Sequence, residues 1–233
     1  LRKSFTITCV SFTFAKYSNT IFYKSMSKYS FNLSSDLYLR DPLSSDKGKA
    51  ILREGAPLIL KTGLEAFNAR KLAEAASLTE ATVYKYFANK QKLLQYYFQL
   101  YWTWLEQQIK VFTAVEDDPH QRLLKAVRIL SEMPAVAADP GLVSKGVLRK
   151  LVVQEGAKAY HHAEVDADNA KKLFAAYKSV TGLLAEMILA VDKDHPYPYS
   201  LSTTLLEMSH SLEFYRDHLP SLTDFPQLES FRL

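Results

Sequence analysis

Side chains that can hydrogen-bond to a polyanion are concentrated in one short stretch around residue 80. They are Thr79, Glu80, Thr82, Tyr84, Lys85 and Tyr86. Val83 and Phe87 interrupt this set with a spacing of four residues, which places both on the inner face of a helix and leaves the others outside. Hydroxyl, aromatic and cationic groups are the types that contact phosphate oxygens and base edges. The pattern predicts a surface that meets duplex nucleic acid.

Two short helices and a tight turn would position this surface. Asn68 and Thr79 are suitable N-caps for helices that lie on either side of residues 76–78. The inner residues would fix the angle between the two helices, and they are Leu72, Ala76, Val83 and Phe87. This arrangement is a helix-turn-helix, in which the second helix enters the major groove of DNA.

Cations occupy helix starts where acidic residues are normally preferred. Arg70 and Lys71 follow the cap at Asn68, and Lys90 and Lys92 follow a second cap at Asn89. The positive end of a helix dipole favours anions, so we expect phosphates of a DNA backbone to dock at these ends. The alternative is that these long side chains simply extend into water.

Residues 51–94 resemble the DNA-binding domain of TetR-type (tetracycline-repressor-like) transcriptional regulators. The most specific part of the resemblance is the run Thr-Val-Tyr-Lys-Tyr-Phe-x-x-Lys, residues 82–90. The resemblance implies that Asn68, Arg70, Tyr86 and Lys90 hold the DNA backbone. It also implies that Thr79, Glu80, Thr82, Tyr84 and Lys85 line the groove, although Tyr84 could instead pack between helices.

Gly55, Pro57 and Ser77 depart from the pattern of that family, since good helix formers are usual at the first two positions. Pro57 lies inside the first helix, where it should kink the helix or delay its regular start. Ser77 stands where the turn glycine is usual, so we expect a strained or altered turn.

Helical periodicity from Asp46 onward, with no convincing period-two segment, predicts an all-α fold. A three-helix head is joined by a long fourth helix to a C-terminal helical bundle. The expected organisation is a disordered arm over 1–45, a DNA-binding domain over 46–92 and a ligand-binding and dimerisation domain over 93–233. Residues 1–25 are interpreted either as sequence upstream of a start at Met26 or as a disordered tail. Further expected features are a stop at Gly63, a fourth helix from Asn89 to about Phe112, helix starts at Asp118-Pro119 and Asp139-Pro140, and helices over 167–192 and 200–217.

Composition narrows the class of protein. The net charge is +4, with basic residues in excess before residue 110 and acidic residues in excess after it, so the front of the chain would meet a polyanion. A single cysteine and the absence of long apolar runs argue against a disulfide framework and a membrane span. No catalytic or cofactor signature appears, which predicts a non-enzyme without cofactor. As a DNA-binding regulator, the protein is expected to be cytoplasmic. His161-His162, with the acidic residues that follow, is interpreted as a solvated loop rather than a metal site.

The last two predicted helices carry apolar seams at helical spacing. They contain Leu173, Tyr177, Val180, Leu184 and Met187, and then Leu201, Leu205, Met208 and Leu212. Because a helix-turn-helix reader generally needs two copies, and because the resembled family dimerises through its last two long helices, these seams are assigned to a homodimer. The alternative is a core within one chain.

The fourth helix is aromatic on all sides, which predicts that it is buried. Resemblance implies a small-molecule pocket in the C-terminal bundle, and Tyr97, Tyr101 and Trp104 could line it. Their alternative role is core packing. The resulting functional hypothesis is a ligand-responsive repressor that binds a palindromic operator as a homodimer. The rival hypothesis is a helical small-molecule-binding or scaffold protein whose DNA-binding head has decayed.

Overall fold

A computed structural model of the chain describes residues 33–131 and 142–224, and within those ranges all regular structure is helical. Nine α-helices lie in the described residues. They are α1 Asp46–Ala66, α2 Ala69–Ala75, α3 Glu80–Tyr84, α4 Lys90–Thr113, α5 Pro119–Ser131, α6 Lys145–Tyr160, α7 Val165–Ala170, α8 Ala175–Val191 and α9 Pro198–His218. Short 3₁₀ turns occur at Ser35–Leu37, Pro42–Ser44 and Pro220–Leu222. The predicted all-α class is confirmed.

Helix α1 begins well before Pro57 and keeps helical backbone angles at that residue. Ser45 caps it by accepting a hydrogen bond from the Gly48 amide at 3.2 Å. Pro57 lies exposed within the helix, and the only non-helical backbone in α1 is at Gly63. The expectation that Pro57 delays or kinks the helix is therefore wrong. The expected stop at Gly63 appears as a break with φ 72° and ψ 152°, a conformation that suits glycine.

Helices α2 and α3 form the predicted helix-turn-helix. The Asn68 side chain accepts from the Lys71 amide at 2.9 Å, and the Thr79 hydroxyl accepts from the Thr82 amide at 3.3 Å. Ser77 adopts the left-handed region with φ 55°, so the altered turn expected there is present. Its hydroxymethyl side chain makes this conformation less favourable than it would be for glycine.

Residues 33–45 correct the expectation of a disordered arm through residue 45. Leu37 is fully buried, and the Leu39 amide donates to the Tyr86 carbonyl at 2.8 Å. Pro42 packs so closely on α1 that a Cβ at Gly48 would lie 2.2 Å from the Pro42 carbonyl oxygen. This segment therefore belongs to the folded head. Residues 1–32, including the expected start at Met26, lie outside the described residues.

Helix α4 connects the head to the C-terminal domain. Asn89 caps it by accepting from the Lys92 amide at 2.9 Å, and the helix ends one residue beyond the predicted Phe112. Its aromatic side chains are buried as predicted, because α4 contacts α1 of the head as well as α5, α6 and α8. A helix enclosed by both parts of the molecule can transmit movement between them.

The C-terminal helices differ from the prediction at one place. Asp118 caps α5, accepting from the amides of His120 and Gln121 at 3.3 and 3.4 Å. The helix predicted over 167–192 is instead divided into α7 and α8, because Lys172 takes φ 60° and the Leu173 amide returns to the Asp168 carbonyl at 3.0 Å. The predicted last helix is confirmed as α9. Asp139-Pro140 lies outside the described residues.

Candidate functional site

Helix α3 exposes one face and buries the other. Val83 is 4% exposed and packs inside the head, whereas Tyr84 is 48% exposed. Thr82 is half-buried, and its hydroxyl lies 2.9 Å from the hydroxyl of Thr79. The exposed members of this face are Thr79, Glu80, Ala81, Tyr84 and Lys85. Hydroxyl, carboxylate, phenol and ammonium groups are thus presented together on one outer surface, and Tyr84 does not pack between helices.

Tyr86 does not belong to that surface. Its side chain is 2% exposed, and its hydroxyl lies 2.6 Å from the Ser45 hydroxyl at the start of α1. The guanidinium carbon of Arg40 lies 5.6 Å from the centroid of the Tyr86 ring. Three residues beyond Val83, Tyr86 falls on the same inner side of the chain. The expectation that Tyr86 holds a DNA backbone is corrected, since it joins the segment 33–45 to the head.

The cations at the helix starts have partners inside the protein. The Lys90 ammonium donates to the carbonyls of Leu64 and Glu65 at 2.9 and 3.2 Å, and the Lys71 ammonium donates to the Ala66 carbonyl at 2.7 Å. These carbonyls form the C-terminal end of α1, where the helix dipole favours cations. Sequence reasoning related these lysines only to their own helices and missed the adjacent end of α1.

The other two cations are also paired. Arg70 is exposed and lies 3.1 Å from Glu74 one turn along α2, and Lys92 lies 2.5 Å from the carboxylate of Asp168 on α7. Asn68 is exposed, with its side-chain oxygen used as the α2 cap. Lys85 is therefore the exposed ammonium on the outer face of α3.

Two buried carboxylates tie the head to the C-terminal domain. Glu155 on α6 accepts from the Leu64 amide at 3.1 Å, immediately after the break at Gly63. Asp168 on α7 accepts from Lys92 at 2.5 Å and from the Gln95 side chain at 2.6 Å, both near the start of α4. Burial raises the pKa of Asp168, but these two hydrogen bonds, together with the charge of Lys92 and the neighbouring His162, outweigh it, so the pKa is lowered. Asp168 is thus held ionised between the two domains.

The interpretation of His161-His162 and the following acidic residues as a solvated loop is wrong in part, because Asp168 and its neighbour His162 belong to a buried polar cluster. His161 is exposed, but His162 lies 3.7 Å from the Asp168 carboxylate, which is itself buried. In residues 33–131 and 142–224, no group of three His, Cys, Asp or Glu side chains is arranged to hold a metal ion. From the sequence, the short spacing between His162 and Asp168 could have predicted a polar cluster. It could not have predicted that Lys92, which is distant in sequence, pairs with Asp168.

A cleft of roughly 890 Å³ opens between α6, α7, α8 and α9. Tyr160, Phe174 and Tyr177 form an aromatic wall, while Glu207 and Phe214 belong to the α9 side. Its volume falls within the range of small-molecule sites in proteins. Sequence reasoning missed this cleft, since its lining comes from four separate helices.

The three residues predicted to line a pocket do not line this cleft. The Tyr97 hydroxyl donates to the Leu52 carbonyl at 2.9 Å, which fastens α4 to α1. Tyr101 is fully buried, and Trp104 is 3% exposed with the Lys145 ammonium 5.7 Å from its ring. The pocket assignment is corrected to the alternative role, core packing around α4.

A buried polar network adjoins the cleft, whose lining includes His210. The Tyr101 hydroxyl lies 2.8 Å from Nε2 of His210, and Nδ1 of that histidine lies 2.9 Å from the Leu206 carbonyl. Because a carbonyl only accepts, Nδ1 carries the hydrogen and Nε2 accepts from Tyr101. Arg149, 4% exposed, pairs with Glu213 at 2.6 Å. The network joins α4, α6 and α9.

The predicted dimer seams divide between the chain's own core and its surface. On and just before α8, four of the residues are buried within the chain, namely Leu173, Val180, Leu184 and Met187. Tyr177 forms part of the cleft wall. The interface assignment of that seam is therefore corrected to an intrachain core. On α9, Met208 is 41% exposed and Leu201, Leu205 and Leu212 are half-buried, which leaves an apolar row at the surface.

No helix within the described ranges is both long and apolar enough to cross a lipid bilayer. The described residues form a helix-turn-helix head followed by a helical domain that contains a cleft. The protein therefore belongs to the class of helix-turn-helix proteins with a helical second domain. Residues 51–97 match the family model for bacterial regulatory proteins of the tetR family, which confirms the resemblance predicted from the sequence. The matched segment covers most of α1, all of α2 and α3, and the start of α4.

Two solved structures share the fold. AibR, in a crystal structure with isovaleryl coenzyme A and operator DNA, is 21% identical with a TM-score of 0.51, over 71% of this chain and 84% of that one. The fatty acid degradation regulator FadR from Bacillus halodurans is 19% identical with a TM-score of 0.54, over 75% of this chain and 87% of that one. At these identities the likeness concerns the fold alone. No curated protein gives a significant match to the sequence.

Proposed function

We propose that the protein is a transcriptional regulator that binds duplex DNA through the outer face of α3. The observation that carries this proposal is the exposure of Thr79, Tyr84 and Lys85 on a helix whose opposite face is buried, within a segment that matches a regulator family. Such a helix can enter the major groove while its partner helix crosses the backbone. Glu80 and Thr82 lie beside these residues and would line the groove, with Asn68 and Arg70 nearer the backbone.

The regulator acts as a homodimer on a palindromic operator. Two heads would occupy half-sites one helical turn apart, about 34–36 Å. The apolar row on α9, centred on Met208, supplies a surface for the second copy. Repression relieved by a small-molecule effector is the mode of action we propose, and the complex of AibR with isovaleryl coenzyme A and operator DNA supports, by analogy of fold, a protein that binds both DNA and a small molecule.

The effector occupies the cleft and acts on the head through α6 and α7. Helix α6 supplies Tyr160 to the cleft and Glu155 to the break in α1. Helix α7 supplies Asp166 to the cleft and Asp168 to the start of α4. A ligand that separates these helices alters the position of the head. The ligand can change the affinity for DNA only to the extent that it binds the protein more tightly in one head position than in the other.

Lys85→Ala tests the proposed DNA contact in a mobility-shift assay with the DNA that flanks the protein's own gene. Loss of this ammonium from the groove surface, where its charge also neutralises nearby phosphates, should weaken binding about tenfold and reduce the salt slope by about one. The matched control is Lys193→Ala, an exposed lysine between α8 and α9 that should leave both quantities unchanged. Equal losses in the two variants, or none in either, would contradict the assignment of α3.

The rival function, a helical ligand-binding or scaffold protein with a decayed head, has one observation in its favour. Lys71, Lys90 and Lys92 are engaged inside the protein, so the head offers fewer cations for phosphates than its sequence suggests. Failure of the wild-type protein to shift any duplex at low salt, while a ligand still binds the cleft, would favour this rival.

A further inference from the structure

The cleft between α6, α7, α8 and α9 has an aromatic wall of continuous rings. The centroid of the Tyr160 ring lies 5.5 Å from that of Phe174 and 5.1 Å from that of Tyr177. Tyr160 is further held by the indole N–H of Trp102, which donates to its hydroxyl at 2.7 Å. Rings fixed by their neighbours present a rigid face, which suits a flat or globular aromatic ligand.

The ionisable groups of the cleft give it a negative balance. Glu207 and Asp166 contribute two carboxylates, Lys178 contributes one ammonium that already donates to the Asn169 side chain at 2.6 Å, and His161 adds one imidazole to the lining. Glu207 accepts from the Tyr177 hydroxyl at 2.5 Å. Burial, with this bond to Glu207, raises the pKa of Tyr177, so the phenol stays neutral.

His210 and Arg149 do not reverse this balance. Burial lowers the pKa of His210 to about 4, so its ring is neutral near pH 7. Arg149 lies behind the cleft lining and is paired with Glu213. An anionic ligand would meet Glu207 and Asp166 beside the ammonium of Lys178, whereas a cation would meet both carboxylates and the aromatic wall.

We propose that the effector cleft selects organic cations that carry aromatic or bulky apolar groups. This inference rests on the proposed function, because it assigns the chemical class of that regulator's effector. Glu207 is the residue that discriminates charge, and the rings of Tyr160, Phe174 and Tyr177 supply the apolar and cation–π contacts.

Tetraphenylphosphonium and tetraphenylborate test the inference, since they have nearly the same shape and opposite charge. Binding to the full-length protein is measured by isothermal titration calorimetry at pH 7. The cation should bind at least tenfold more tightly than the anion. Glu207→Gln should weaken the cation about tenfold and reduce the difference between the two probes. Glu116→Gln, which changes an acidic residue between α4 and α5 outside the cleft, should leave both affinities unchanged.

A second variant tests the location of the site. Gly156 lies in the cleft lining, and a Cβ built there meets no atom within 4 Å, so Gly156→Leu can fill the cleft without displacing the helix. This variant should lose binding of tetraphenylphosphonium while its folded state is retained in circular dichroism. Its sedimentation mass should equal that of the wild type. A lower mass would mean that a second copy of the chain occupies the cleft and would overturn the proposal.

Failure of this inference is distinguishable from failure of the proposed function. Equal affinity for the two probes, preference for the anion, or unchanged binding of the cation in Gly156→Leu would overturn the selection of cations by this cleft. Each of these results is compatible with DNA binding that depends on Lys85. Loss of the Lys85 effect with intact charge selection would instead overturn the DNA-binding assignment alone.

Discussion

At the scale of single residues, His210 shows how burial fixes a protonation state. The ring is 7% exposed, with hydrogen bonds to the Tyr101 hydroxyl and the Leu206 carbonyl. Desolvation lowers its pKa, the positive charge of Arg149 lowers it further, and the Leu206 carbonyl opposes both, with a result of about 4. The folded protein therefore holds a neutral histidine over a pH range in which the unfolded chain is protonated.

The free energy of unfolding should depend on pH through this group. Because the folded pKa lies below the unfolded value, the contribution of His210 is complete above about pH 6.5 and is lost as the pH falls towards 4. The shift corresponds to a loss of about 3 kcal/mol at the acidic limit. Urea unfolding of wild type and His210→Gln between pH 4 and 7 checks this. In the variant, the free energy of unfolding should no longer fall with pH by the amount that His210 contributes. Identical slopes of this free energy against pH in the two proteins would contradict the role of His210.

At the scale of secondary-structure elements, the local sequence was sufficient to predict which residues cap the helices. Asn68, Thr79 and Asn89 each accept a hydrogen bond from an amide three residues ahead, so a single turn of chain determines the helix start. Gly63 was also predictable, because a break with positive φ favours a residue without Cβ. These features depend on neighbours in sequence.

Features that depend on distant neighbours were not predictable. Lys90 contacts the end of α1, and Tyr86 meets Ser45 across the head. The division of the predicted 167–192 helix depends on Lys172, whose residue type gives no indication of positive φ. The cleft lining comes from four helices whose relative placement is set by tertiary packing, so its residues cannot be assigned from periodicity.

Glu155 allows the connection between α6 and the head to be tested. Glu155→Ala leaves the Leu64 amide, a buried donor, without its carboxylate partner, which should cost about 1–3 kcal/mol in the free energy of unfolding. Hydrogen exchange at the Leu64 amide should become faster, and DNA binding should respond less to effector. Glu65→Ala, an exposed neighbour at the same break, is the control and should change none of these quantities. Wild-type protection of Leu64 in Glu155→Ala would refute this role for Glu155.

At the scale of the whole molecule, the surface of α9 bears on how two heads are held together. The α8 seam is used within the chain, so the row containing Met208 and its half-buried neighbours Leu205 and Leu212 is the surface that we propose for the second copy. Burial of such a row against itself would follow two-fold symmetry, as homodimers do. The same symmetry would place the two α3 helices on one side of a duplex.

Met208→Glu should dissociate the dimer while leaving each chain folded, because the side chain is already 41% exposed. Analytical ultracentrifugation at micromolar concentration should show a monomer, and affinity for a two-half-site duplex should fall at least tenfold as the avidity of two heads is lost. Leu124→Glu, at a position 51% exposed on α5, should remain dimeric. A dimeric Met208→Glu protein would move the interface away from this row.

Selection of bound DNA from a random duplex pool tests the central claim most directly. Wild-type protein should enrich a palindrome whose half-sites are separated by about 34–36 Å, or one helical turn. Tyr84→Ala, which removes an exposed ring of α3, should reduce or alter the enrichment, whereas Lys193→Ala should reproduce the wild-type result. A pool that remains random after repeated rounds, or an identical palindrome from Tyr84→Ala combined with Lys85→Ala, would contradict DNA reading by α3.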